Sequence, residues 1–242
     1  MTFTLAFLIL PDWVPFVGGA IVLIAAIVAV NSFLERRRKR ALTDVALQIG
    51  FNYEGEDWVD QERAPHLETP LFDKGHNQEF LNVMTGSVSG FQTSLFDYKF
   101  VIGGGKSSQT CMQTVVSFTK PGISMPEFEL QPEGIMQKIG AVFVHDDIDF
   151  DSHPEFSRRM QLRSPEEEKT RELFNPSLLT FLEGLDQSKK WRLEGVTETL
   201  LIYRWKKRVK PEDFRQFFEE TSAIASQFFG LASLRKTTIN QQ

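Results

Sequence analysis

From Val14 to Val30 the chain reads "VPFVGGAIVLIAAIVAV", with no charge and nothing more polar than glycine and proline, and "NSFL" carries the run to Leu34. About twenty-one such residues in a helix span roughly 30 Å, the thickness of a hydrocarbon core. The pattern predicts a transmembrane helix over 14–34. "MTFTLAFLIL" ahead of Pro11 is apolar too, but ten residues are too few to cross. Residues 1–13 therefore read as a short external N-terminus resting in the outer interface, with Trp13 and Phe16 near that boundary.

The pattern changes after residue 41. Leu42, Val45, Ala46 and Ile49 recur at helical spacing, so 35–50 reads as a basic stop followed by a short connecting helix that ends at Gly50, with a strand from Phe51. No Ser/Gly linker separates the two parts, which predicts a folded part close to the bilayer. Residues 55–78 hold two prolines and many charges without a period and read as a loop. "EFLNVMTGSVSG" and "FQTSLFDYKFVI" then alternate, placing Leu81, Val83 and Thr85 on one face and Phe96, Tyr98, Phe100 and Ile102 on one face, with a hairpin through Gly90. Met112, Thr114, Val116 and Phe118 share a face of a third strand, and "PEFELQP" is a short fourth.

Helices follow. "GIMQKIGA" predicts a short one, and Ser164, Pro165 and Glu167 form a helix-start signature for a second that breaks or bends at Pro176. "WRLEGVTETLLIYRWKK" reads as a strand pair or one strand bent around Gly195. A last helix opens at Pro211, carries Phe214, Phe217, Phe218, Thr221, Ile224, Ala225, Phe228 and Phe229 as one stripe, and stops at Gly230. The fold class is α+β: one transmembrane helix, then a mainly antiparallel sheet packed with two or three helices over 51–230, and a polar tail over 231–242.

Charge changes the picture in two places. Residues 1–35 contain no Lys or Arg, and Arg36, Arg37, Arg38, Lys39 and Arg40 follow at once. A secretory signal would carry its basic residues ahead of the apolar run. The reversed order puts the block in the cytoplasm and the N-terminus outside. It also offers a contact for anionic lipid heads. From residue 41 on, 22 basic residues (27 less the block's five) face 30 acidic ones (32 less Asp12 and Glu35), a balance of −8. Such an acidic body argues against sequence-independent nucleic-acid binding. Cys111 is the only cysteine, so no internal disulfide forms, and its strand context makes it a core residue. Twenty-two phenylalanines promise an aromatic-rich core.

Two stretches invite a chemical reading. "GGGKSS" ends like a phosphate-binding loop, yet the first glycine of G-x-x-x-x-G-K-[ST] would fall on Phe100, and a strand follows where a helix is needed. It reads as a hairpin loop without a nucleotide. "HDDIDFDSHPEF" gathers His145, Asp147, Asp149, Asp151 and His153 as candidate metal ligands. Ser152 and Arg158 stand where a calcium loop needs Gly and Glu, and the His spacing does not specify zinc. In an edge strand Asp147, Asp149 and Asp151 would face water while Ile148 and Phe150 face inward. No G-x-S-x-G or G-x-G-x-x-G is present, and no cofactor is implied.

"GFNYEGE", "LFDYKF", "QTVVSF", "PEFEL", "DIDFDSHPEFSRRMQLRSPEEEKTRELF" and "WRLEGVTETLLIYR", in this order behind a span with a basic stop, resemble an uncharacterised family of bacterial membrane-anchored proteins with one N-terminal helix and a cytoplasmic α+β domain. The resemblance implies a bacterial inner membrane and brings no catalytic residue with it. The sequence thus points to a membrane-tethered, non-catalytic interaction or scaffolding module with a protein partner of unknown identity. The alternative is a metal-dependent enzyme or regulator built on residues 145–155, for which convergence of Asp147, Asp149 and Asp151 with His145, His153 or His66 would speak.

Overall fold

A computed structural model describes residues 14–55, 69–134 and 147–239. The helix expected from "GIMQKIGA" lies, past Gly134, outside the described residues, as do His66 and His145. The chain divides into two compact units, 1–41 and 42–242.

The described part of the first unit is the start of α1 (Val14–Ile49), whose last turns, from Leu42, belong to the second; α1 is the one helix, among the described residues, long and apolar enough to cross a membrane. An 18-residue window of it has a mean hydropathy of 2.4, and none of that window is buried. Phe16, Ile21, Val22 and Phe33 all stand exposed, which suits lipid rather than a protein core. The anchor and the connecting helix are one continuous helix, not two. Between Gly19 and Gly50 there is no glycine or proline to break it, and "LERRRKRAL" is built from strong helix formers. Gly50, at φ +76°, ends it in a Schellman-type close with Phe51 N donating to Ala46 O at 2.8 Å.

The second unit is an eight-stranded sheet in the order β1-β2-β3-β4-β8-β7-β5-β6, with every neighbouring pair antiparallel. The strands are β1 (Asn52–Gly55), β2 (His76–Val88), β3 (Phe91–Ile102), β4 (Gln109–Thr119), β5 (Met125–Pro132), β6 (Met160–Arg163), β7 (Trp191–Thr197) and β8 (Thr199–Arg204). The α+β architecture expected from the alternation is the one observed. Ser89 and Gly90 both take positive φ, 51° and 80°, the two-residue turn whose twist matches the β2–β3 hairpin.

One face of the sheet carries the larger core. Leu95, Val116, Phe118, Phe128, Leu193 and Ile202 meet α3 (Glu167–Leu173), α4 (Pro176–Glu183) and α5 (Phe214–Ile239), with Leu42 and Ala46 from the end of α1. The whole α5 stripe from Phe214 to Phe229 is buried, as its spacing predicts. Phe228 stacks at 5.6 Å on Phe128 and meets Phe174 edge-on at 5.6 Å. The other face carries Phe96, Tyr98, Phe100, Val115, Leu201 and Tyr203 beneath residues 69–75.

Several local expectations are corrected. The row Leu81, Val83, Thr85 is interrupted: Asn82 takes φ 53° at an irregularity between Leu81 and Met84, so that Phe80 and Val83, three residues apart, both reach the smaller core. Ser164 does not cap a helix. Its hydroxyl donates to Glu127 O and accepts from Glu166 N and Thr170 Oγ1, tying the segment to β5, and the helical run splits into α3 and α4 with Asn175 capping the latter. Gly195 is not a bend. It lies in paired strand, and a Cβ there would stand 2.2 Å from Phe128 Cε1, so close packing requires glycine while the reversal falls at Thr197 (φ 48°) and Glu198. Gly230 does not stop α5, which continues through Ile239 across part of the expected tail. The short α2 (Pro154–Arg159) and β6 were not anticipated.

Candidate functional site

The glycine-rich loop is a single 3-10 turn, Gly105–Ser107, closing the β3–β4 hairpin beyond the pair Ile102 and Gln109. Ser107 N and Oγ both donate to Gly104 O, at 3.2 and 3.0 Å, and Ser108 Oγ donates to Gly105 O at 3.1 Å. The serine hydroxyls fold back on their own loop, and β4 follows directly, so no helix N-terminus stands ready for a phosphate.

Residues 147–155 do not form a ladder strand, although the expected alternation survives. Ile148 is buried, with its N–H bonded to Leu162 O at 2.8 Å, while Asp149 and Asp151 are exposed. Asp147 turns back: its Oδ1 accepts from Leu162 N at 2.7 Å, and burial pushes its carboxyl above the ordinary range against that bond. His153 Nδ1 lies 3.1 Å from Ser152 Oγ and its Nε2 3.5 Å from Thr180 Oγ1. Among the described residues no three His, Cys, Asp or Glu side chains come together as metal ligands. Cys111 is buried with its thiol pushed up by burial, the setting of an inert core sulfur.

The densest ionisable cluster lies elsewhere, on the sheet face turned away from the helices. Glu129 of β5 and Glu194 of β7 are directly paired across the ladder. Lys74 bonds Glu129 Oε1 at 2.6 Å and stands 3.6 Å from Glu194 Oε1. Glu194 also accepts from Tyr203 OH at 2.5 Å and from Leu71 N at 2.7 Å. Glu194 is completely buried, and that burial holds its carboxyl above the ordinary range against the pull of Lys74. Tyr98 and Tyr203 are pushed up as well, first by burial and then by the Glu194 charge. Glu194 and Lys74 thereby clamp residues 69–75 onto the sheet. Gly75 (φ +77°) completes the clamp, since a Cβ there would meet Val101 O at 2.3 Å.

Sequence reasoning missed this cluster for a physical reason. Arg192 and Glu194 alternate with Trp191 and Leu193, and a charged alternate position reads as the solvent face. The signal that was available is "LFDK" shortly before "HNQEF": the apolar pair Leu71 and Phe72 and a lysine in a loop with no other reason to be apolar.

A second polar network sits on the helix side. Asp97 Oδ1 accepts from Thr114 Oγ1 at 2.7 Å, and its Oδ2 accepts from Asn82 Nδ2 at 3.0 Å and Arg208 Nε at 2.9 Å. Tyr53 OH extends it to Asn82 Oδ1 at 2.8 Å. Its carboxylate is fully engaged and serves to fix the β2 irregularity and the chain after β8.

The fold defined here, an eight-stranded antiparallel sheet with helices on one face behind an apolar N-terminal helix, has a counterpart among solved structures. The crystal structure of the mycobacterial trehalose monomycolate transport factor A, TtfA, matches it with a TM-score of 0.58 at 15% identity, covering 81% of this chain and 94% of that one. At that identity the likeness is one of fold. No family model matches the chain, and no curated protein matches its sequence.

Proposed function

We propose that the chain is a membrane-tethered interaction module of a bacterial inner membrane. Residues 14–34 span the bilayer, the N-terminus lies outside, and the domain over 51–230 works in the cytoplasm without catalysing a reaction of its own. The observation that carries this reading is α1, whose lipid-suited stretch runs without interruption into Arg36, Arg37, Arg38, Lys39 and Arg40. Positive charge at that end favours the cytoplasmic side and adds about 1 kcal/mol of attraction per residue to anionic lipid heads. The solved structure of like fold is that of a transport factor, and an accessory role of that kind, docking a protein partner at the bilayer, is the form of module we favour.

Fusions of alkaline phosphatase and of green fluorescent protein at Gln242 test the topology. The reading expects fluorescence without phosphatase activity; the converse would put the domain outside and overturn it. Neutralising the five basic residues should weaken or invert that orientation.

A further inference from the structure

On the charged face Arg192 is 2% exposed, and its Nε and Nη2 are buried with no hydrogen-bond partner among the described residues. These two atoms form one edge of the guanidinium and direct two parallel N–H bonds, the geometry that receives both oxygens of a single carboxylate. The plate is held in place. Its carbon lies 4.7 Å from the Trp205 ring centroid, and Arg192 is paired across the ladder with Tyr203. Two more buried donors lack partners beside it, Trp205 Nε1 and Gln113 Nε2. Gln113 is fixed next to Trp205 because its Oε1 accepts from Lys206 N at 3.0 Å.

Burying a guanidinium edge without a partner is costly, and Glu129 and Glu194, the acids of this face, are engaged with Lys74, Tyr203 and Leu71. What is left over is a guanidinium edge that neither acid engages, beside the unpartnered indole and amide donors. We propose that the Nε/Nη2 edge of Arg192, backed by Trp205, binds the carboxylate of a small molecule. The site is too enclosed for the carboxylate of a folded partner's surface. A carboxylate brings one planar pair of oxygens to that edge, the match for its two parallel N–H bonds, whereas inorganic phosphate brings more negative charge beside the paired carboxyls of Glu129 and Glu194.

The test uses the full chain in detergent and acetate, butyrate and benzoate as probes, with acetamide and benzamide as uncharged matches and inorganic phosphate as the competing anion. The readouts are the ¹H–¹⁵N resonance of the Trp205 indole, identified by its loss in Trp205→Phe, and the Arg192 Nε–H resonance of the wild-type protein. At least one carboxylate should shift both saturably while its amide does not, and Arg192→Lys, which keeps the charge and loses the fork, should weaken binding by about tenfold or more. If Arg192→Lys does not fold, the wild-type Nε–H shift decides alone. Absence of any carboxylate-dependent shift, unchanged binding in a folded Arg192→Lys, or tighter binding of phosphate than of every carboxylate would overturn the proposal.

Discussion

The two faces of the sheet are built on opposite principles. The helix-covered face is filled by phenylalanines and aliphatic residues, and Asp97, the one charged residue fully buried on it among the described residues, is surrounded by fixed donors. The opposite face is aromatic at the β2–β4 end and ionic at the β5–β7 end, where Glu129, Glu194, Lys74 and Arg192 are all buried. Apolar burial of the first kind stabilises in proportion to area. Buried ion pairs of the second kind contribute little net stability, because desolvation cancels most of the attraction. The comparison teaches that the helix face holds the domain together, while the ionic face is kept for what it binds or positions.

The largest effect that could break this contrast belongs to the helix face. Phe228→Ala removes a ring packed between Phe128 and Phe174 and should cost about 3–5 kcal/mol in unfolding measurements. A loss under 1 kcal/mol would show that α5 is not integral to the core. Gly195→Ala tests the contact between the faces' shared strand and the same core: its methyl must displace Phe128, at a cost of about 1–3 kcal/mol. A neutral result would mean that the Phe128 ring has room to move.

The α5 stripe and the β3 and β4 alternations were legible because each has one wet side and one dry side, which imprints a period on the sequence. The ionic face was not, since both sides of β7 are buried and Arg192 and Glu194 look like outward positions until the Lys74 segment is seen to cover them. Ser164 misled for a related reason: its position satisfies the helix-start pattern, but Glu127 O competes successfully for its hydroxyl. Gly195 and Gly230 show that a glycine alone does not say whether it marks a bend, an end or a close approach. Residues 147–151 kept their predicted in-and-out alternation without the predicted strand, since only Ile148 and Asp147 engage β6.

The ionic face also predicts a pH dependence. Glu194 has its folded-state pKa raised above the ordinary 4.5, so between that value and its native one the folded protein keeps a proton the unfolded chain has released. Stability contributed by this group is full below 4.5 and declines as pH rises through the native value. Glu194→Gln should remove that decline, leaving a flatter melting-temperature profile across the window; an unchanged slope would assign the titration elsewhere. The smallest effect is expected far from either face. Gly104 has an extended φ of −154° and open space where a Cβ would go, so Gly104→Ala should change stability by no more than about 0.5 kcal/mol.

The central contrast is tested most directly by removing the ionic cluster as a unit. In the variant Lys74→Met, Glu129→Leu, Arg192→Met, Glu194→Gln the four buried charges of this face leave together, and the new amide oxygen still accepts from Leu71 N, so no charge of the cluster is left alone. Unfolding of this variant in detergent, beside the wild type at neutral pH, should show stability unchanged or raised by about 1–4 kcal/mol. A loss of more than about 3 kcal/mol would mean that the charges hold the domain together, and the division of labour between the two faces would be wrong.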